Sequence, residues 1–194
     1  MTALNDTKEI RLHSRGGMGL ALMTQMVVAA FGMEGKYAAG LPSFGIERRG
    51  SPVTGYVRVS NKPIREKCRV YAPECLVIMD SRQLGLANTM SGLKPEALLV
   101  LDAKEMPAQE ALEKFGTIAL VDATGIALEE IGRPITNTCI LGALAGCTGW
   151  LEIGSIVKAL ERYFPPKLLG GNQRCAERGF AEVQMKSLNA SKEA

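Results

Sequence analysis

The sequence predicts an α/β domain: a Rossmann-like, mainly parallel sheet with helices on both faces and a helical C-terminal part. Three observations carry this. Strand-like apolar runs alternate with helix-spaced segments along most of the chain, as in sheets covered by crossover helices. Residues 75–79 and 97–101 are continuous apolar runs, the mark of strands buried on both faces. Each of these, like residues 117–121, hands over to an aspartate (Asp80, Asp102, Asp122), which can cap the next helix or sit at the sheet's carboxyl edge.

In chain order, residues 9–13 read as a short strand. Leu20, Met23, Val27, Ala30 and Phe31 recur at helical spacing, so residues 19–31 form a helix that Gly32 ends. Residues 37–52, rich in Gly, Pro and Ser, read as a long loop, long enough to carry function. Residues 53–60 alternate at period two, Val53, Gly55, Val57 and Val59 against Thr54, Tyr56 and Arg58. That is a half-exposed strand, expected to turn through Asn61-Lys62-Pro63. Helical stretches at 83–90, 108–115 and 126–131 follow the three aspartate-terminated strands. In the last third, residues 138–148 are small and apolar. Ile153, Ile156, Val157, Leu160 and Phe164 have helical spacing, and so do Ala176, Phe180 and Val183. No repeat and no second domain is visible, so residues 1–194 are one domain. Its size buries about 70% of the unfolded surface without a disulfide or metal.

Composition narrows the function classes. A net charge of +3 is too small to imply nucleic-acid binding, although basic residues cluster at Arg48-Arg49 and between Arg65 and Arg69. Such clusters fit a phosphate, an acidic partner or a solvated surface. Cys68, Cys75, Cys139, Cys147 and Cys175 include no C-x-x-C pair, which argues against an iron–sulfur or structural zinc site. Cys75, Cys139 and Cys147 lie in apolar runs and read as core. With no signal segment at Met1 and no apolar run long enough to span a bilayer, the expected location is cytoplasmic, away from any membrane.

Two segments carry chemistry. Ser14-Arg15-Gly16-Gly17-Met18-Gly19 lies between the first strand and the first helix. Its glycines bare the backbone, the helix start offers free N–H groups to an anion, and Arg15 adds charge. It is not the dinucleotide fingerprint, because Leu22 stands where that pattern needs a small residue, and it is not a Walker loop. The pattern leaves a phosphate site and a tight βα turn both open. The second segment, residues 41–52, is stiffened by Pro and Gly and displays Glu47, Arg48 and Arg49, adjacent arginines suited to a carboxylate, a phosphate or an acidic surface. Internal pairing with acids such as Glu47 is the plainer alternative. His13, the sole histidine, excludes a multi-histidine metal centre and reads as a hydrogen-bonded structural residue. For Asp80, Asp102 and Asp122, helix capping is favoured over metal binding.

Several phrases together resemble one family. They are Arg11-Leu12-His13-Ser14-Arg15-Gly16-Gly17-Met18-Gly19, Glu34-Gly35-Lys36-Tyr37, residues 42–53, Val121-Asp122-Ala123-Thr124, Asn137-Thr138, Leu141-Gly142-Ala143-Leu144, and residues 174–183. In this order, over nearly the whole chain, they are similar to the γ subunit of 2-oxoacid:ferredoxin oxidoreductases, of the pyruvate (pyruvate synthase) type. The resemblance implies oxidative decarboxylation of a 2-oxoacid on thiamine diphosphate, electrons passed through iron–sulfur clusters to ferredoxin, and acyl transfer to coenzyme A. It implies that thiamine diphosphate and clusters reside in partner subunits of α, β and δ type. The γ piece would pack on them, help receive coenzyme A through Ser14, Arg15, Gly16, Gly17, Met18, Gly19, Arg48 and Arg49, and be inactive alone. The family loop commonly reads G-R-G/A-G-Q-G; here Ser14 replaces the first Gly and Met18 the Gln, which removes an amide but leaves the backbone donors. Two other readings compete. One is a free-standing nucleotide-binding or NAD(P)-dependent protein, which needs a third small residue in the loop and an acid ending the second strand. The other is a scaffold that binds no ligand.

Overall fold

The computed structural model describes residues 4, 6–43, 50–86, 88–107 and 110–188. They form a seven-stranded sheet and five α-helices. The strands are β1 (Lys8–Arg15), β2 (Tyr37–Pro42), β3 (Pro52–Ser60), β4 (Cys75–Ile78), β5 (Leu98–Asp102), β6 (Thr117–Val121) and β7 (Gln184–Ser187). The helices are α1 (Leu20–Met33), α2 (Ala123–Ile131), α3 (Asn137–Thr148), α4 (Ile153–Leu160) and α5 (Pro166–Glu182). The sheet order is β2-β3-β1-β4-β5-β6-β7. The central β1, β4, β5 and β6 run parallel, while β3 is antiparallel to β1 and β2, and β7 to β6. The expected α/β sheet is therefore present, with antiparallel additions at both ends.

Strand parity divides the core. Ile10, Leu12, Val57, Val59, Cys75, Val77, Val100 and Ala119 point to one face, where they meet all five α-helices through residues such as Met23, Val27, Ile140, Leu144, Ile156 and Cys175. Leu76, Ile78, Leu99, Leu101 and Ile118 point to the other, where short 3₁₀ helices at Ser81–Gly85 and Glu110–Lys114 bring Leu84, Leu112 and Phe115 over them. α3 is buried on nearly every side and crosses α5 at backbone contact. A Cβ on Gly142 would overlap the carbonyl of Ala176, and one on Gly179 the carbonyl of Cys139. Burial raises the thiol pKa values of Cys75, Cys139 and Cys147, the last to about 12, so these three stay protonated core residues.

Several elements depart from the sequence expectation. The loop expected from residue 37 begins with a strand, β2. Its Gly40 is not a turn signal: a Cβ there would come 2.8 Å from Thr24 and 2.9 Å from Val28 of α1, so glycine lets the helix lie against the sheet edge. β3 finds its partners in β1 and β2 rather than through a turn at residues 61–63. The helix expected at 83–90 shrinks to Ser81–Gly85, and the one at 108–115 to Glu110–Lys114, residues 108–109 lying outside the described ones. α5 starts at Pro166, ten residues before the apolar spacing becomes legible, because Gly170-Gly171 and polar side chains dilute its pattern. β7 was not anticipated, since a fully exposed edge strand has no apolar alternation. Among the described residues no helix is long and apolar enough to cross a membrane.

Candidate functional site

β1 delivers Ser14, fully buried, and Arg15 to the carboxyl edge of the parallel strands. The chain then turns: Met18 N–H donates to the Arg15 carbonyl (3.2 Å), while Gly17 (φ 97°) and Gly19 (φ 77°) take left-handed backbone. Glycine is the residue that enters that region without a Cβ penalty. Gly19 precedes the first turn of α1 and provides no side-chain cap. The N–H groups of that first turn have no intrahelical acceptor, and the helix dipole adds positive character there. Gly19 is also crowded: a Cβ would sit 2.6 Å from Nδ2 of Asn137 at the start of α3. Two backbone bonds, Gly16 N–H to Ser51 O (2.9 Å) and Gly50 N–H to Gly16 O (3.1 Å), tie the turn to the start of β3.

Beside this turn lies a cleft of about 770 Å³. Its walls come from residues 15–18, Gly50, Arg82, Thr124 in the first turn of α2, and Arg133-Pro134-Ile135 just before α3. The first turn of α2 and the segments that lead into α1 and α3 thus border one cavity at the carboxyl edge of the sheet. β1 lies between a chain excursion to β2 and β3 on one side and β4 on the other, the kind of switch point where open α/β sheets bind ligands. A smaller cavity of about 310 Å³ adjoins the other side of the turn, against Pro42, Ser43 and Val53.

The charges are arranged around Asp80. One carboxylate oxygen faces Arg15 Nε; the other accepts from Arg82 Nε (3.0 Å) and from the Arg82 N–H (3.2 Å). Arg133 has no carboxylate partner among the described residues. Three guanidinium groups against one carboxylate leave the cleft net positive. Asp102 and Asp122 serve α2 instead. Asp122 accepts from Gly125 N–H (2.9 Å) and meets Lys104 at 3.2 Å; Asp102 accepts from Thr124 N–H (3.1 Å) and Oγ1 (2.6 Å). Burial raises the Asp102 pKa, and the Thr124 bonds hold it down in part. All three aspartates cap or anchor helix starts, as favoured from sequence, and no cluster of three metal-ligating side chains occurs among the described residues.

The structure brings Ser14, Arg15, Gly16, Gly17, Met18 and Gly19 together, with Met18 packed inward on the core and Arg15 on the cleft. Arg48 and Arg49 lie outside the described residues. His13 is buried on the face of β1 that also carries Arg11 and Arg15, away from Ile10 and Leu12, and is not among the residues lining the cleft. The expectation of a hydrogen-bonded histidine fails at Nε2, which has no partner among the described residues. Burial first, and then Arg11, push its pKa down to about 4, so it is neutral at pH 7. Arg82, Thr124 and Arg133 were missed. A basic residue two positions after a strand-terminal aspartate hints at Arg82. Arg133 comes into place because Gly132, left-handed at φ 67°, ends α2 and turns the chain back toward β1. The NAD(P) reading weakens here. The parallel neighbour of β1 does lead to an acid, but that acid, Asp80, is already engaged by Arg15 and Arg82.

Residues 9–182 match the family model described as pyruvate ferredoxin/flavodoxin oxidoreductase. The pyruvate/ketoisovalerate oxidoreductases common subunit gamma of Thermococcus kodakarensis is 43% identical over 176 residues, covering 89% of this chain and 95% of that one. The crystal structure of pyruvate oxidoreductase subunit PORC from Thermotoga maritima superposes with a TM-score of 0.81 at 33% identity, covering 94% of this chain and 100% of that one. The 2-oxoglutarate:ferredoxin oxidoreductase of Magnetococcus marinus, solved with 2-oxoglutarate, coenzyme A and succinyl-CoA bound, shares the fold (TM-score 0.77, 19% identity). The match covers 92% of this chain but 31% of that longer one.

Proposed function

The chain belongs to the pyruvate ferredoxin/flavodoxin oxidoreductase family, as a γ-type subunit, and from that premise we propose that it serves a pyruvate-type enzyme by holding the phosphates of coenzyme A. The supporting observation is the cleft where three arginines and the glycine turn that leads into α1 line one cavity. Coenzyme A carries a pyrophosphate and a 3′-phosphate, and guanidinium groups with backbone N–H donors are the groups that bind phosphate best. The chain's own residues bind and orient; Asp80 fixes the angle of Arg15 and Arg82, and Arg133 brings the unpaired charge. In this reading decarboxylation and electron transfer belong to the partner subunits, which hold the thiamine diphosphate and the clusters. The choice of oxoacid falls there too: the Thermococcus relative is named as common to pyruvate and ketoisovalerate enzymes.

The test is steady-state kinetics on the reconstituted complex. One charged hydrogen bond is worth about 1.5 kcal/mol or more, so Arg133→Gln should raise the Michaelis constant for coenzyme A about tenfold. Gly17→Val, which forces a β-branched residue to φ 97°, should raise it as well. Oxoacid decarboxylation measured without coenzyme A should stay intact in both. Unaltered coenzyme A dependence in assembled Arg133→Gln and Gly17→Val enzymes would reduce the loop to a tight turn.

A further inference from the structure

Positive charge is distributed unevenly over the surface. Lys8, Lys36, Arg58, Arg82, Lys94, Lys104, Arg174 and Arg178 each meet a carboxylate within 4 Å. Residues 62–69 are the opposite case. Lys62, Arg65, Lys67 and Arg69 are all exposed, have no carboxylate partner among the described residues, and are interrupted by the single acid Glu66. Four unpaired cations in eight residues repel one another and favour a loose segment. This segment nevertheless has a fixed path. Arg58, whose side chain is 9% exposed, lies beneath it, donates to the carbonyls of Cys68 (2.7 Å) and Arg69 (3.0 Å), and is itself held by Glu9 (2.7 Å). A buried ion pair spent on pinning an irregular, basic segment gives that segment a defined shape.

The segment also forms one wall of a groove of about 220 Å³. Ala39, Leu41 and Tyr56 make its floor, on the face of β2 and β3 away from the α-helices. Leu41 and Tyr37 remain 42% and 49% exposed there, along an edge strand paired only to β3. Glu66, Lys67 and Cys68 of the segment line the groove, and Lys62, Arg65 and Arg69 flank them along the chain. An apolar floor and an open strand edge beside a segment of four exposed cations and one acid fit an extended polypeptide that carries apolar and acidic side chains together. We propose that residues 62–69 with β2 form a docking strap for an acidic, extended segment of a partner subunit. This stands on membership of a multi-subunit enzyme, not on the coenzyme A cleft, which lies at the other end of β3.

The test uses the complete complex. The triple variant Arg65→Glu/Lys67→Glu/Arg69→Glu alters only exposed side chains, so its melting temperature should match wild type. Assembly is followed by light scattering against concentration at about 50 mM and about 300 mM salt, where screening lengths differ about twofold or more. Wild-type assembly should weaken with salt, and the triple variant should need at least tenfold higher concentration to assemble at low salt. Lys158→Glu/Arg162→Glu/Lys167→Glu, an equal charge change on exposed sites of α4, the turn after it and the first turn of α5, should assemble as wild type. If the strap variant unfolds, the neutral pair Arg65→Gln/Lys67→Gln replaces it, with the same sign expected. Wild-type assembly by the strap variant, equal weakening by both triples, or normal assembly with a raised Michaelis constant for coenzyme A would each overturn the proposal.

Discussion

Replacing Lys36 by Met should unfold this chain more readily than almost any other single polar change. Lys36 Nζ donates to Glu34 Oε2 (2.7 Å) and to the Trp150 carbonyl (2.5 Å), with the two side chains 6% and 4% exposed. The second Glu34 oxygen accepts from the Glu152 N–H (2.8 Å) at the start of α4. This one pair fastens the end of α1 to the entry of α4. Lys36→Met leaves the Glu34 carboxylate buried without its cation, a loss of about 3–5 kcal/mol. That lowers the melting temperature by roughly 6–20 °C for a domain of this size. Lys36→Met combined with Glu34→Leu removes the stranded charge and loses mainly the cap on α4, about 1 kcal/mol. The double variant should therefore be more stable than the Lys36→Met single. Urea unfolding of all four members of the cycle measures this. A Lys36→Met variant within 1 kcal/mol of wild type, or a double variant at the sum of the singles, would refute the reasoning.

Two further outcomes follow from the core. His13, neutral in the fold with its pKa near 4, has a folded value below its unfolded one of about 6.5. The unfolded chain thus binds the extra proton, so this contribution is complete above about pH 6.5 and is lost as pH falls toward 4, about 3 kcal/mol in all. Urea melts at pH 7 and pH 4.5 should show a slope that His13→Phe abolishes; an unchanged slope would assign it to other groups. Gly142→Ala and Gly179→Ala each push a methyl into a backbone carbonyl and should cost about 3 kcal/mol or more, because two helices must separate. Thermal melting within 2 °C of wild type would show that the α3–α5 crossing yields easily.

The sheet's centre was legible because its chemistry is local. Residues 75–79 and 97–101 are apolar without a break, and a strand buried on both faces has no other way to look. The edges were not. β2 carries Gly40 and Pro42, which read as loop punctuation until α1 is seen resting on Gly40. β7 is exposed along its length and has no pattern to read. The site divides similarly. Gly17 and Gly19 announce a turn, and the structure gives each its left-handed backbone. Arg82 and Arg133 are single residues 51 positions apart, and only the return of the chain at Gly132 sets them beside one cavity. The resemblance phrase Glu34-Gly35-Lys36-Tyr37 has a structural meaning that sequence could not supply, since the partner of both charges is a backbone more than a hundred residues away.

The most direct test of the coenzyme A cleft compares two ligands on the assembled enzyme. Pantetheine carries the thiol and its arm but none of coenzyme A's phosphates. Inhibition or turnover constants for both are measured with wild-type and Arg133→Gln enzyme. If this cleft holds the phosphates, the substitution weakens coenzyme A about tenfold and leaves pantetheine unchanged. Equal effects on the two ligands, or no effect on either, would contradict a phosphate-binding role for the cleft.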